Sequence, residues 1–498
     1  MLIYFLKNAI MYYLFVLFYC YLCYNTLGWV VFLMTNRYNI VIHTIVLTII
    51  SIVLFTIYTI SNRNLSLNLS TTIYIIGMSL YGLFIMFNFI FHKNSFYGVS
   101  SFCMTFLFCE KGFYNYDNIS LLINLFMFTI LGFIIHVIKF KPHLYLGHFT
   151  PSTLFFIFAI SLSGIGVKKY EDNCYVYNPW FMPFLVMGIG ILIIILLNYF
   201  ECSNESTLED VSTYFKGFII LIGYEIIFYI LTLDGGIKYY FETKFLNIGI
   251  GNANTVAIIL QLTCPFMLYF SFKKNPFINT LFFYLNLFLI FLTVSRGAII
   301  TTFPIVFVLT IYYLIKNWKE YRINLVIHLS FFTVLVVGVI SYFLKNKDVC
   351  NKFLELLFRG LDGLTGRIPL WMYVFDHWYY NPVFGIGIVS NSHWKLYWDT
   401  SFQFVHSTIF HTLWMSGIVG LLGLFVHLFD KYYYVIKNKK YTSLMLMFYL
   451  CAGLYGLFDV TYYNLHFTTY LLVIMYLYSS QIRRENNKLR KENLLCVV

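Results

Sequence analysis

The chain has 498 residues, of which 60% are hydrophobic, 21% aromatic and only 11% charged. A soluble domain carries about 25% charged residues, so water cannot wet this whole surface and lipid must cover much of it. The formal net charge of +12 then points away from nucleic acid. It points toward anionic lipid headgroups, topology signals and an anionic substrate.

Crossing the hydrocarbon core takes about 20 apolar residues, and runs near that length recur along the chain. The first, 9–34, is too long for a signal-peptide core and lacks a small-residue cleavage site, so it reads as a spanning helix. Further spans are predicted at 40–60, 71–91, 119–140, 150–166, 180–199, 215–232, 255–272, 277–293, 298–315, 324–344, 407–428, 441–459 and 466–480. The short run 98–109 reads as a re-entrant piece. The fold expected is an all-α integral membrane protein with about 12–14 transmembrane helices. The long polar stretch 345–406 is one large external loop with short helices, and 481–498 is a charged tail.

Orientation follows from Lys and Arg in the short loops. With the N-terminus inside and the spans alternating, the inside collects Lys7, Arg63, Lys139, Lys141, Lys273, Lys274, Lys431 and Lys437, with Arg483, Arg484 and Lys488 of the tail. Both termini are then cytoplasmic, and the 345–406 loop faces outward. Cys103, Cys109, Cys174 and Cys350 fall in or near outside loops, where a disulfide competes with small buried residues. Glu225 interrupts an apolar run and reads as a buried, hydrogen-bonded residue.

Three features carry chemistry. The loop holds Lys345, Lys347, Lys352, Arg359, Arg367 and Lys395, with Trp371, Trp378, Trp394 and Trp398, half the tryptophans of the chain. Indole faces stack on sugars and guanidinium forks bind phosphate, although an interfacial aromatic belt has the same composition. Arg296 stands between two apolar runs in Ser295-Arg296-Gly297, where a charge is costly and either functional or snorkelling. His406 begins a span at the outer surface, with His411 five residues on and deeper. An imidazole there can take a proton from a sugar hydroxyl. The loop carboxylates Asp348, Glu355, Asp362, Asp376 and Asp399 are dispersed, with no metal-ligand spacing.

In this order the pieces resemble the O-antigen ligase/polymerase superfamily of bacterial envelope enzymes. Ser295-Arg296-Gly297-Ala298 resembles the family's Ser-Arg-Gly motif, and Gly366-Arg367-Ile-Pro-Leu-Trp371 its Gly-Arg-x-x-x-Trp element. Asn381-Pro382-Val-Phe384-Gly385-Ile-Gly387 resembles its Asn-Pro-Leu-Phe-Gly-x-Gly stretch. His406, followed by Gly417 and Gly420, resembles its His-Asn helix start, with Ser407 where the family usually has Asn. Gly251-Asn252-Ala-Asn254 is a weaker match.

The resemblance implies a metal-independent, cofactor-free glycosyltransferase of GT-C-like architecture in the bacterial cytoplasmic membrane. Its donor would be an undecaprenyl-diphosphate-linked glycan, and its site would face outward. His406, Arg296 and Arg367 would be catalytic, and Arg359, Trp371, Trp378, Asn254 and His411 would bind substrate. Partners would be membrane lipids and a chain-length regulator. The number of spans and the Ser407 departure favour a polymerase over a ligase. A flippase for the same lipid-linked sugar is the rival from another class; it would place charges and broken helices near mid-membrane in two related halves.

Overall fold

The computed structural model describes residues 39–64, 67–108, 119–165, 181–233, 236–243, 246–249, 251–316, 318–358, 367–385, 387, 405–463 and 465–495. The predicted span 9–34 lies outside these residues. What is described is an all-α integral membrane protein with one two-stranded hairpin. The helices are α1 (Ile40–Asn64), α2 (Leu67–Phe91), α3 (Phe96–Phe108), α4 (Ile119–Phe140), α5 (Thr150–Ser161), α6 (Phe181–Ser203), α7 (Leu208–Leu231) and α8 (Gly236–Thr243). After the hairpin β1 (Asn247–Ile248) and β2 (Gly251–Asn252) come α9 (Ala253–Lys273), α10 (Pro276–Leu292), α11 (Arg296–Lys316), α12 (Trp318–Lys345), α13 (Lys347–Phe358) and α14 (Arg367–His377). The last three are α15 (Thr408–Asn438), α16 (Thr442–Phe458) and α17 (Leu465–Leu495).

Among the described residues, eight helices are long and apolar enough to cross a membrane, and five shorter apolar helices accompany them. Burial separates the centre of the bundle from its lipid face. The most apolar stretch of α9 is 94% buried, while that of α12 is 6% buried. A helix apolar all round and covered by protein is a bundle core, and one left bare must be covered by lipid. Helix α9 is therefore the axis on which the site is hung. Its start is fixed by Asn252, whose Oδ1 accepts the N–H groups of Asn254 and Thr255 at 3.0 and 3.1 Å.

Helix directions follow from cross-contacts. Helix α7 starts at the end of the bundle that carries Gln481, whose Oε1 accepts the Leu208 N–H at 2.8 Å. Helix α1 runs parallel to α7, with Gly217 against Thr44 and Thr48 and Thr56 Oγ1 2.7 Å from the Tyr224 hydroxyl. Helix α2 returns, with Tyr58 and Tyr74 rings 4.4 Å apart. Strict alternation from an inside N-terminus expected the opposite direction for 40–60 and 71–91. The correction comes from α3, the predicted re-entrant piece. It turns back beside α2, where Asn88 Nδ2 donates to Ser101 Oγ at 3.3 Å. Helices α2 and α4 are therefore parallel, packed through Gly132 on the Met86 backbone.

Three other sequence expectations change. Cys103, placed in an outside loop, is buried within α3; Cys109 and Cys174 lie outside the described residues. The expected separate tail is a continuation of α17, which runs unbroken to Leu495 because its residues are helix formers with a Lys488–Glu492 pair one turn apart at 3.9 Å. Lys431, taken as a topology signal, is 1% exposed inside the bundle. Glu225 is fully buried, as expected.

The 345–406 loop is docked at both ends. Helix α13 is amphipathic and seats Phe353 on Phe291, Phe343 and Phe241, with ring centroids at 4.5, 5.4 and 5.4 Å. Farther on, the segment Asn381–Gly387 locks into a break in α15 at Gly417, where φ is 60° and ψ −156°. The Pro382 and Val383 carbonyls accept the Ile418 and Val419 N–H groups at 2.9 and 3.1 Å, and the Gly387 N–H donates to the Met415 carbonyl at 2.9 Å. A Cβ on Gly417 would stand 2.5 Å from the Val383 carbonyl, and one on Gly385 would overlap the Met415 backbone. Asn381 Nδ2 ties the turn to the Ile165 and Gly385 carbonyls at 3.0 and 2.8 Å.

The Asn-Pro element thus acts as a backbone latch. Gly417→Ala combines left-handed strain of about 1–3 kcal/mol with lost hydrogen bonds of about 1 kcal/mol each. Its expected result is a membrane-inserted protein whose loop is cut by protease at 381–387, read by limited proteolysis against the parent chain.

Candidate active site

The site assembles at the end of the bundle where α9, α11, α14 and α15 begin. Helix α10 stops at Leu292, and Thr293, Val294 and Ser295 turn the chain into α11. Val294 is left-handed at φ 51°, a conformation that a β-branched residue adopts only when its surroundings impose it. The Ser295 N–H donates to Thr293 Oγ1 at 3.2 Å. The Ser295 hydroxyl donates to Asn254 Oδ1 at 3.1 Å and lies 3.4 Å from the Tyr455 hydroxyl. This ties the start of α11 to the start of α9 and to the end of α16. The Tyr455 ring lies 3.4 Å from where a Cβ on Gly297 would stand, an ordinary van der Waals contact. Arg296 is the first residue of α11 and half-buried.

Arg367 opens α14 and is also half-buried. Helix α14 is held on α15 by an apolar cluster of Leu370, Val374, Val405, Leu413 and Trp414, with Trp371 and Trp378 against it. The Trp371 indole N–H donates to the Val405 carbonyl at 3.0 Å, and its ring stacks on Phe410 at 5.2 Å. Thus Trp371 braces the residue just before His406, and Trp378 packs in the same cluster, both half-buried. This placement brings the Arg367 guanidinium close enough to repel that of Arg296, and its charge also reaches Tyr455 and Asp459.

His406 is left-handed at φ 51°. Ser407 caps α15 with no side-chain hydrogen bond of its own. The His406 Nδ1 lies 3.4 Å from Asp459 Oδ1, with side-chain exposures of 34% and 20%. Both groups are open enough to meet a substrate, yet sheltered enough for their interaction to count.

Asp459 is the residue that sequence reasoning missed. It stands at the end of an apolar span, outside the 345–406 loop. Helix α16 ends at Phe458, and Asp459 is its extended C-cap, with its N–H donating to the Tyr455 carbonyl at 2.9 Å. Burial pushes its carboxyl up. The His406 hydrogen bond and charge, the Val460 N–H and Arg367 outweigh that and hold it below the usual carboxylate range.

The remaining predicted residues divide. Asn254 belongs to the cluster through Ser295. His411 is buried one turn into α15, edge-on to the Tyr463 ring at 4.8 Å, behind the His406 surface rather than on it. Arg359, Trp394, Trp398 and Lys395 lie outside the described residues. Asp348 and Glu355 are turned to Lys238 and Lys352 at 3.9 and 3.4 Å, away from the cluster.

The chemistry available is an anion site beside a base. The starts of α11, α14 and α15 bring positive dipole ends to this end of the bundle, and two guanidiniums that repel each other gain from an anion placed between them. An imidazole oriented by a carboxylate can accept a proton on its other nitrogen.

Residues 281–425 match the model of a family described as O-antigen ligase. The matched stretch runs from α10 into α15. It contains Arg296, Arg367 and His406 but neither Asn254 nor Asp459. No curated protein matches the chain.

Proposed function

We propose that this chain, whose residues 281–425 match a family described as O-antigen ligase, is a surface-polysaccharide polymerase of the O-antigen ligase/polymerase superfamily. It joins undecaprenyl-diphosphate-linked oligosaccharide units on the outer face of the bacterial cytoplasmic membrane. The observation that carries the reading is the His406–Asp459 pair at 3.4 Å, with the Arg367 charge in electrostatic range of Asp459 and of Arg296.

In the reaction, Arg296 and Arg367 hold the donor's diphosphate and stabilise the charge that grows as it leaves. His406 keeps a proton on Nδ1 toward Asp459, which leaves Nε2 to accept one. The acceptor sugar hydroxyl loses its proton to Nε2, and its oxygen attacks the anomeric carbon. The bond to the diphosphate oxygen breaks with its electron pair, and the anomeric centre inverts. Asp459 remains charged and steadies the imidazolium. The polyprenyl tail lies in lipid beside the bundle, so the head reaches the site without leaving the membrane. No step needs a metal or cofactor. The C-terminus is assigned to the cytoplasm, on the side where α1 and α7 also begin, membrane lipids are the surrounding partner, and a chain-length regulator is the expected protein partner.

The ligase reading, transfer of a finished glycan to lipid A–core or protein, is favoured by the family's own description. Deletion of this chain in its host separates the readings. Lipid A–core capped with a single repeat indicates the polymerase. Polymer accumulated on undecaprenyl diphosphate indicates the ligase and overturns the proposal. Unflipped repeat units on the inner leaflet indicate a flippase and overturn it too.

A further inference from the structure

Lys431 is a cation that this reaction does not use, buried to 1% exposure in α15. A basic side chain within a membrane bundle is costly unless its surroundings compensate, so its partners indicate what it is for. Its Nζ donates to the Tyr462 hydroxyl at 2.8 Å. It stands over the Tyr462 ring at 4.5 Å and the Tyr449 ring at 5.9 Å, contacts that strengthen when water is excluded. Asp430, its chain neighbour, is turned to Ser152 and His148 at 2.5 and 3.0 Å. His427, one turn earlier, stacks on Phe156 at 5.6 Å. Tyr462 is therefore the group that Lys431 grips.

Tyr462 belongs to the linker 459–463 between α16 and α17, the same short segment that carries Asp459. Two other α15 side chains hold that linker. Thr408 Oγ1 lies 3.1 Å from the Asp459 carbonyl, to which it donates, and accepts the Thr461 N–H at 3.0 Å. The Tyr463 hydroxyl donates to Thr412 Oγ1 at 2.9 Å. Helix α15, which starts just after His406, thus grips the Asp459 linker at three levels, and Lys431 is the deepest.

We propose that Lys431 is a positioning residue for the reaction. Through Tyr462 it fixes the 459–463 linker so that the Asp459 carboxylate faces His406. This rests on the His406–Asp459 reading of the site. A methionine of similar length fills the space but has no N–H to hold the phenol, which is why an amine is kept there in spite of its burial.

The test uses full-length protein in lipid nanodiscs, with lipid-linked oligosaccharide extracted from host cells lacking this chain. Lys431→Met and Tyr462→Phe are each expected to lower kcat about tenfold, the scale set by a slightly misplaced catalytic group. KM should stay unchanged, since neither residue touches substrate. Added to Asp459→Asn, either change should cost nothing further, because residues acting through one another are not additive.

Wild-type kcat in both variants overturns the proposal, as does a double variant slower than Asp459→Asn by the full single effect. If Lys431→Met does not fold, Tyr462→Phe decides, since it keeps the ring and removes only the hydroxyl. An Asp459→Asn variant at wild-type rate sinks the His406–Asp459 reading itself and the Lys431 role with it. A fully active Lys431→Met and Tyr462→Phe beside an impaired Asp459→Asn sinks the Lys431 role alone.

Discussion

Arg296→Lys should lower kcat/KM about a hundredfold or more while the protein still inserts in the membrane at normal levels. Loss of one charge-stabilising donor at a developing oxyanion costs about 10²–10³ in rate, and Lys keeps the charge but loses the planar fork that binds two phosphate oxygens. The position also leaves little room for adjustment. Arg296 is the first residue of α11, reached through a left-handed Val294 and a Ser295 bonded to Asn254. A thermal-shift measurement gives an independent reading. Because Arg296 and Arg367 repel each other across the site, an isoprenyl diphosphate should raise the melting temperature of the parent chain and raise it much less in the Lys variant. Equal shifts in both proteins, or full-length polysaccharide from the variant, would remove Arg296 from the site.

His406→Ala should cost about 10²–10⁴ in kcat, the range for removing a positioned general base, and Asp459→Asn should cost part of that. The amide can still sit beside Nδ1, but it carries no charge to steady the imidazolium. Asp459 loses its proton below the ordinary aspartate value of about 3.9. Its contribution is present above that range and is lost only as pH falls through it. Activity lost between about pH 7 and 5 therefore does not come from protonation of Asp459. Rates of both variants across that range check the point. A His406→Ala protein that builds full-length product in vivo would end the base mechanism.

How much of the site was legible in sequence depended on whether a residue announced itself by local contrast. Arg296 did, because a cation between two apolar runs has few bland explanations. His406 and Arg367 did so through their order along the chain. Asp459 did not, since a single acid at the end of an apolar span looks like a helix terminus. Its role appears only when α16 brings it within 3.4 Å of His406, 53 residues away in sequence. Composition singles out Trp371 and Trp378 without showing that the Trp371 indole also braces the chain ahead of His406, while Trp378 packs in the same cluster.

Hydrophobicity and charge, which act locally against the bilayer, determined by themselves that this chain is a helical membrane protein, roughly where its spans fall, and that 345–406 stands apart. Packing decided what those local quantities do not encode. The short α3 reversed the directions expected for the first described helices, and Gly417 became the slot for the Asn381–Gly387 latch. Lys431, one cation among many in sequence, became a buried clamp. Each of these depends on which distant segments touch, a property of the folded contacts and not of any window of the chain.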